Sequence, residues 1–339
     1  MFRTDVIFEK SDFEVIQILK DFLPEYIYDA HAHLFDTDFL PEVQTPDSNR
    51  VVCGLEEYRK TYEVMLGMPK KLCVNMIPFP DKSMSSLSSE NCARYDKFIR
   101  QQLDKDVRNV GEILVRPNES LEQLEGRLIH PRIRGLKCYH TLANQDTTWN
   151  CDIGDYLPET AWQLANEKKM SITLHLVKDN ALADKDNLEY ICQMAKQYPN
   201  ATLILAHAAR SFAAWTGIES VEKVAHLENI WFDFSAVCES PAMFQILKKV
   251  GVHRCMWGSD YPITQVRGKS ISLARGFWWI YQKDLDNIFN QTPVDSWMIG
   301  LENLMAVRQA CIMADLTRSD VEDLFYNNAY RLFKVEDES

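Results

Sequence analysis

The chain has 339 residues, with 49 acidic against 37 Lys and Arg, giving a formal charge of −12, and 46% of its positions are hydrophobic. Those are the proportions of an ordinary globular protein, and the acidic balance excludes a polyanion-binding surface, which needs clustered Lys and Arg. The most apolar short stretch, Phe277–Tyr281, falls far below the roughly 20 residues of a bilayer span, so neither nucleic acid nor membrane is an expected partner.

In chain order, the opening MFRTDVIFEKSDFEV alternates charged and apolar side chains, without the continuous apolar run of a secretory signal. Residues 1–24 are expected to form a helical extension packed outside the main body, which runs over 25–335 of a single domain. Eight apolar, β-branched segments follow: Tyr26–Leu34, Lys71–Ile77, Asn109–Arg116, Ile133–His140, Met170–Val177, Ala201–Ala208, Ile230–Ala236 and Cys255–Tyr261. Between them Tyr95–Leu103, Leu157–Lys168, Asn187–Gln197, Ser220–His226 and Ala242–Val250 have helical spacing. Strand alternating with helix eight times predicts an α/β fold, a distorted (β/α)8 TIM barrel, because buried parallel strands read as apolar runs and need crossover helices. An open doubly wound sheet competes with it, but no glycine-rich phosphate turn follows the first strand. Beyond Ile263 the chain is too long for one crossover, so extra helices are expected there, with Phe277–Tyr281 packing as a helix and Ser319–Phe333 closing the chain. Nine cysteines at irregular spacings, without a CxxC pair, read as reduced thiols of a cytoplasmic protein, most of them small core residues.

Four of the eight histidines, His31, His33, His175 and His207, lie near the C-terminal ends of predicted strands, and Asp260 ends the eighth. Strand C-termini converge on one mouth of a barrel, so these residues can meet. Side chains repeat with period two along a strand, so Asp29, His31 and His33 share a face. A lone HxH, or a lone buried histidine, is an ordinary structural feature; five such residues at corresponding ends of different strands predict a metal site of nitrogen and oxygen donors with positions left for water and substrate. His130, His226 and His253 have no converging partners and are expected at the surface.

YDAHAHLF, LILAHAAR, MWGSDYP and the closing NNAYRLFKV, spread from Tyr26 to Val335, resemble the amidohydrolase superfamily, specifically the branch that includes aminocarboxymuconate-semialdehyde decarboxylase and related hydrolases and hydratases. The resemblance implies that His31, His33, His175 and Asp260 ligate one divalent metal, zinc with manganese as the alternative, and that His207 positions water or polarises substrate. Many superfamily members bridge two metals through a carboxylated lysine on the fourth strand. Lys137 stands there and is taken as a substrate or structural residue beside a single metal. Arg116 and Arg210, after the third and sixth strands, are expected to grip a substrate carboxylate. Of Tyr139 and His140 at most one lines the pocket; Tyr139 is the choice. Trp149, Trp215, Trp278 and Trp279 are candidates to roof a planar ring, Arg267 and Arg275 to be surface arginines, and Asp233 and Ser235 to bond a ligand hydroxyl or complete the barrel interior. The expected activity is hydrolysis of an amide, ester or lactone on a small carboxylate-bearing molecule, with non-oxidative decarboxylation or hydration as the alternative. Relatives suggest a homodimer.

Overall fold

The computed structural model describes residues 6–43, 49–288 and 295–333. Eight strands, β1 (Tyr26–His33), β2 (Lys71–Ile77), β3 (Val110–Leu114), β4 (Ile133–Cys138), β5 (Ser171–Leu174), β6 (Thr202–Leu205), β7 (Ile230–Asp233) and β8 (Cys255–Met256), form one sheet in sequence order. Every neighbouring pair is parallel. Closure happens at the mouth: Ala30 N donates to Trp257 O (3.0 Å), Asp260 N to His31 O (2.7 Å) and His33 N to Tyr261 O (2.8 Å). The molecule is therefore a (β/α)8 barrel.

Local chemistry explains the crossovers. Asp184 caps the Lys185–Gln197 helix by accepting from the amides of Asp186 and Asn187, and Ile191, Met194 and Ala195 form its buried stripe. Pro241 sits in the first turn of Ser240–Val250, where its missing N–H costs nothing. Strands such as TLIL over Thr202–Leu205 are buried from their second residue on, which is why they read as unbroken apolar runs. The predicted strands are all present, but most end two to five residues early. The N-terminal helix spans Lys10–Leu19 and packs on the helix Ile299–Met313, outside the barrel; the expected extension begins outside the described residues.

Two elements differ from expectation. A helix over Leu55–Met65 precedes β2. Phe277–Tyr281 is not helical: Gly276–Tyr281 pairs antiparallel with Gly268–Leu273 as a hairpin over the mouth. Its period is two, with Phe277, Trp279 and Tyr281 facing the cavity while Trp278 is 57% exposed. Ile299–Met313, Arg318–Glu322 and Asn328–Phe333 supply the extra helices after β8. All nine cysteines are free, eight buried and Cys192 half-buried. Among the described residues no helix is long and apolar enough to cross a membrane.

Candidate active site

The pairing of β1 with β2 slips between Asp29 and Ala32, so the simple alternation expected of this strand fails: His31, fully buried, and His33 turn to the site, whereas Asp29 turns to the Tyr58 hydroxyl on the helix Leu55–Met65. His175 stands one residue beyond β5, His207 two beyond β6 and Asp260 four beyond β8. Gly258 lets the last of these segments run against β1, since a Cβ there would lie 2.7 Å from His31 Cβ and 3.2 Å from Ser235 Cβ. Asp29 ties the same two segments together: its Oδ1 accepts from His31 N (3.0 Å) and Ser259 N (2.8 Å), and its Oδ2 from the Tyr58 hydroxyl (2.8 Å). After β6 the backbone makes a left-handed turn, with φ of 57°, 51°, 59° and 59° at His207, Ala208, Ala209 and Arg210.

Three donor atoms converge. His31 Nε2 and His33 Nε2 are 3.3 Å apart, and Asp260 Oδ1 lies 3.3 Å from His33 Nε2 and 3.8 Å from His31 Nε2. His207 also offers a ring nitrogen within 4.8 Å of ligand atoms of His31 and Asp260. The rings are held from behind, His31 Nδ1 by Asp233 Oδ2 (3.0 Å) and His33 Nδ1 by Ile77 O (3.2 Å). Burial, with Lys137 next in weight, pushes His31 down to about 3; burial likewise lowers His33 and holds His175 well below the usual histidine range. Burial alone would raise Asp260, but the imidazoles of His207, His33 and His31 outweigh it and keep the carboxyl below its ordinary range.

Neutral rings that donate backward through Nδ1 present Nε2 lone pairs forward, toward one another and toward a carboxylate oxygen. Acceptors facing acceptors repel, and a cation between them removes the conflict. Among the described residues the donor reaching this cluster is Lys137 Nζ, 3.5 Å from His31 Nε2. His175 adds a buried Nδ1 without a hydrogen-bond partner, its ring 5.3 Å from that of His207. Two or more imidazoles and a carboxylate suit a borderline divalent ion such as zinc, so the residues present fit a metal.

His33, His175, His207 and Asp260 floor a cavity of about 360 Å³ whose walls include Tyr139, Trp149, Phe212, Phe277 and Trp279. Arg210 also lines it, its guanidinium 5.7 Å from the Trp149 ring and 5.5 Å from the Phe277 ring. Lys137 is fully buried beneath, 5.6 Å from the Tyr139 ring. Tyr139 lines the cavity and His140 does not.

Arg116 departs from expectation: it is not in the cavity wall. Its guanidinium is bound to Glu119 Oε1 (2.5 Å) and to the carbonyls of Ser86 and Leu87, because the chain turns back after β3 and brings Glu119 against it. Arg267 pairs with Asp12 and Glu9, and Arg275 lies over Trp215, so neither reaches the site. Asp233 and Ser235 bond the site's histidines. Phe79, Phe212, Phe277 and Tyr281 also line the wall, and the sequence did not signal them.

A closed parallel barrel carrying imidazoles and a carboxylate at its C-terminal mouth has the architecture of a barrel enzyme. The chain belongs to the amidohydrolase family, whose model matches residues 28–335. Among solved structures, it is similar in fold to an amidohydrolase from Burkholderia multivorans with bound zinc (12% identity, 92% of this chain and 100% of that one, TM-score 0.57). It is also similar to a putative 2-pyrone-4,6-dicarboxylic acid hydrolase from Pseudomonas putida (15%, 93% and 100%, 0.57) and to 5-carboxyvanillate decarboxylase from Sphingomonas paucimobilis (12%, 92% and 99%, 0.53). No curated protein matches the sequence.

Proposed function

We propose that this protein is a metal-dependent hydrolase of a small carboxylate-bearing amide, ester or lactone, working in the cytoplasm with one divalent cation, zinc or, failing that, manganese. His31, His33, His175 and Asp260 would hold the ion. The observation that carries this reading is the approach of His31 Nε2, His33 Nε2 and Asp260 Oδ1 to within 3.8 Å of one another, with both rings pinned from behind. A divalent ion there supplies Lewis acidity, polarising a carbonyl or carboxylate oxygen and acidifying water. Asp260, kept ionised, accepts the proton of the attacking water, and His207 orients that water from the neighbouring wall. Arg210 takes the substrate carboxylate, Tyr139 packs beside the bound molecule, and Lys137 adds positive charge beneath the floor.

The aromatic wall favours a second reading on the same residues. Trp149, Phe212, Phe277 and Trp279 line the cavity with aromatic faces against which a flat ring could pack, which suits non-oxidative decarboxylation of a carboxylated aromatic, where a carbon rather than a carbonyl oxygen receives the proton. Screening carboxylated aromatics, lactones and sugar acids, and measuring carbon dioxide apart from hydrolysis products, separates the two. Hydrolysis without carbon dioxide supports the first reading and the converse the second. Metal analysis tests what they share: His31→Ala and Asp260→Asn are expected to lose bound metal and turnover together, and retention of metal by His31→Ala would refute the ligand assignment.

A further inference from the structure

Asp233 closes β7 and touches two of the site's histidines. Its Oδ2 faces His31 Nδ1 at 3.0 Å. Its Oδ1 accepts from His207 N (3.2 Å), from Ser235 N (3.1 Å) and from the Ser235 hydroxyl. Ser235 Oγ lies 3.0 Å from His207 Nδ1, and Ser235 O 3.2 Å from the same nitrogen. All of these groups are buried.

Donor counting fixes every hydrogen in this cluster. An ionised carboxylate only accepts, so the hydrogen between Asp233 and His31 sits on His31 Nδ1. The Ser235 hydroxyl hydrogen is committed to Asp233, so Ser235 Oγ and O can only accept from His207, whose Nδ1 therefore also carries hydrogen. We infer that Asp233 and Ser235 act as one unit that sets the tautomer of both His31 and His207, leaving both Nε2 lone pairs aimed at the centre between β1, β6 and β8. They are positioning residues, acting through the two imidazoles. Asp233 also takes the amide that opens the left-handed turn, so one carboxylate fixes both the ring and the backbone of His207. The tautomer assignment needs no metal; its consequence for ligand binding rests on the metal-site reading above.

Asp233→Asn discriminates sharply. Three donors already point at Oδ1, so the new amide must keep its oxygen on that side and turn its NH2 toward His31 Nδ1. His31 then has to accept at Nδ1 and carry its hydrogen on Nε2, inside the cluster. The side chain keeps its size, and His207 keeps its partners.

The experiment uses the full chain with 15N-labelled histidine. Long-range 1H–15N spectra of metal-free protein, assigned through His31→Gln and His207→Gln, are expected to show both rings as Nδ1–H; finding either ring as Nε2–H overturns the inference without any variant of Asp233. In Asp233→Asn, His31 is expected to convert to Nε2–H while His207 does not, and cobalt(II) binding, followed by its visible absorption, is expected to weaken by about 10- to 100-fold. Unaltered cobalt affinity with an unaltered tautomer overturns the inference. Wild-type protein that takes up no cobalt would instead sink the metal-site reading, while the tautomer measurement still decides this one.

Discussion

Two arginines show how differently one residue type behaves at the ends of two barrel strands. Among the described residues, the Arg210 guanidinium donates from Nη1 to Lys178 O (3.0 Å) and otherwise lies against aromatic faces in the cavity. Burial there lowers its pKa, and a substrate carboxylate would restore what desolvation removes. Arg210→Met is therefore expected to raise KM for a carboxylate substrate at least tenfold, with little change in folding stability, checked by steady-state kinetics beside urea denaturation. Arg116 is only 6% exposed, and its bonds all go to Glu119 and to backbone carbonyls. Arg116→Met strips Glu119 of one of two guanidinium partners, the other being Arg127. It should cost about 2–4 kcal/mol of stability while the folded enzyme keeps its KM. The sequence puts Arg116 at the end of the third strand, which in fact stops at Leu114, and Arg210 after the sixth, but it carries no sign that a glutamate three residues on captures the first.

At the scale of elements, the left-handed turn over 207–210 is the costly feature. A non-glycine residue in that conformation costs about 1–2 kcal/mol, and Ala208 and Ala209 are both buried and both incur it. The strain brings His207 and Arg210, three residues apart, to the same cavity. Replacing Ala209 by Gly relieves the left-handed penalty but loses a buried methyl and adds chain entropy, terms of about 0.8 and 0.5–1 kcal/mol, so the net change should be near zero. Ala165→Gly, in the right-handed helix Glu159–Lys168 and equally buried, has no strain to relieve and should cost about 1–2 kcal/mol. Thermal denaturation of the two variants compares them directly; equal losses would mean that the turn carries no strain. Nothing local announces this turn, since AHAAR is rich in the best helix former. The barrel strands were legible because parallel strands buried on both faces read as apolar runs. The 268–281 hairpin was not, because two adjacent tryptophans hide the alternation of 277–281. The site histidines and Asp260 were legible for a topological reason: every strand of a parallel barrel ends on the same side, so position along the chain alone brings them together.

For the whole molecule, the barrel's seam and its candidate metal site are the same place. β8 is two residues long, and the seam to β1 is made by the amides of Ala30, His33 and Asp260, in the segments that carry His31, His33 and Asp260. Without a cation, mutually repelling acceptors bridge this joint, so it should open locally at lower free energy than β4 and β5, which are joined along four paired positions on the far side. A bound ion would link β1 to the segment after β8 directly. Saturating zinc at about 100 times its dissociation constant stabilises the fold by about 2.7 kcal/mol, which for a chain of this size raises the unfolding midpoint by about 4 °C. Hydrogen exchange separates that global gain from the local one. Amides of Ala30, His33 and Asp260, whose local opening releases the ion, should gain the full binding term, whereas amides of β4 and β5 that exchange through openings which keep the ion should gain less. Equal protection at the seam and on the far side, measured with and without zinc, would mean that the metal is held without bracing the joint and that the short β8 is secured by the helices behind it.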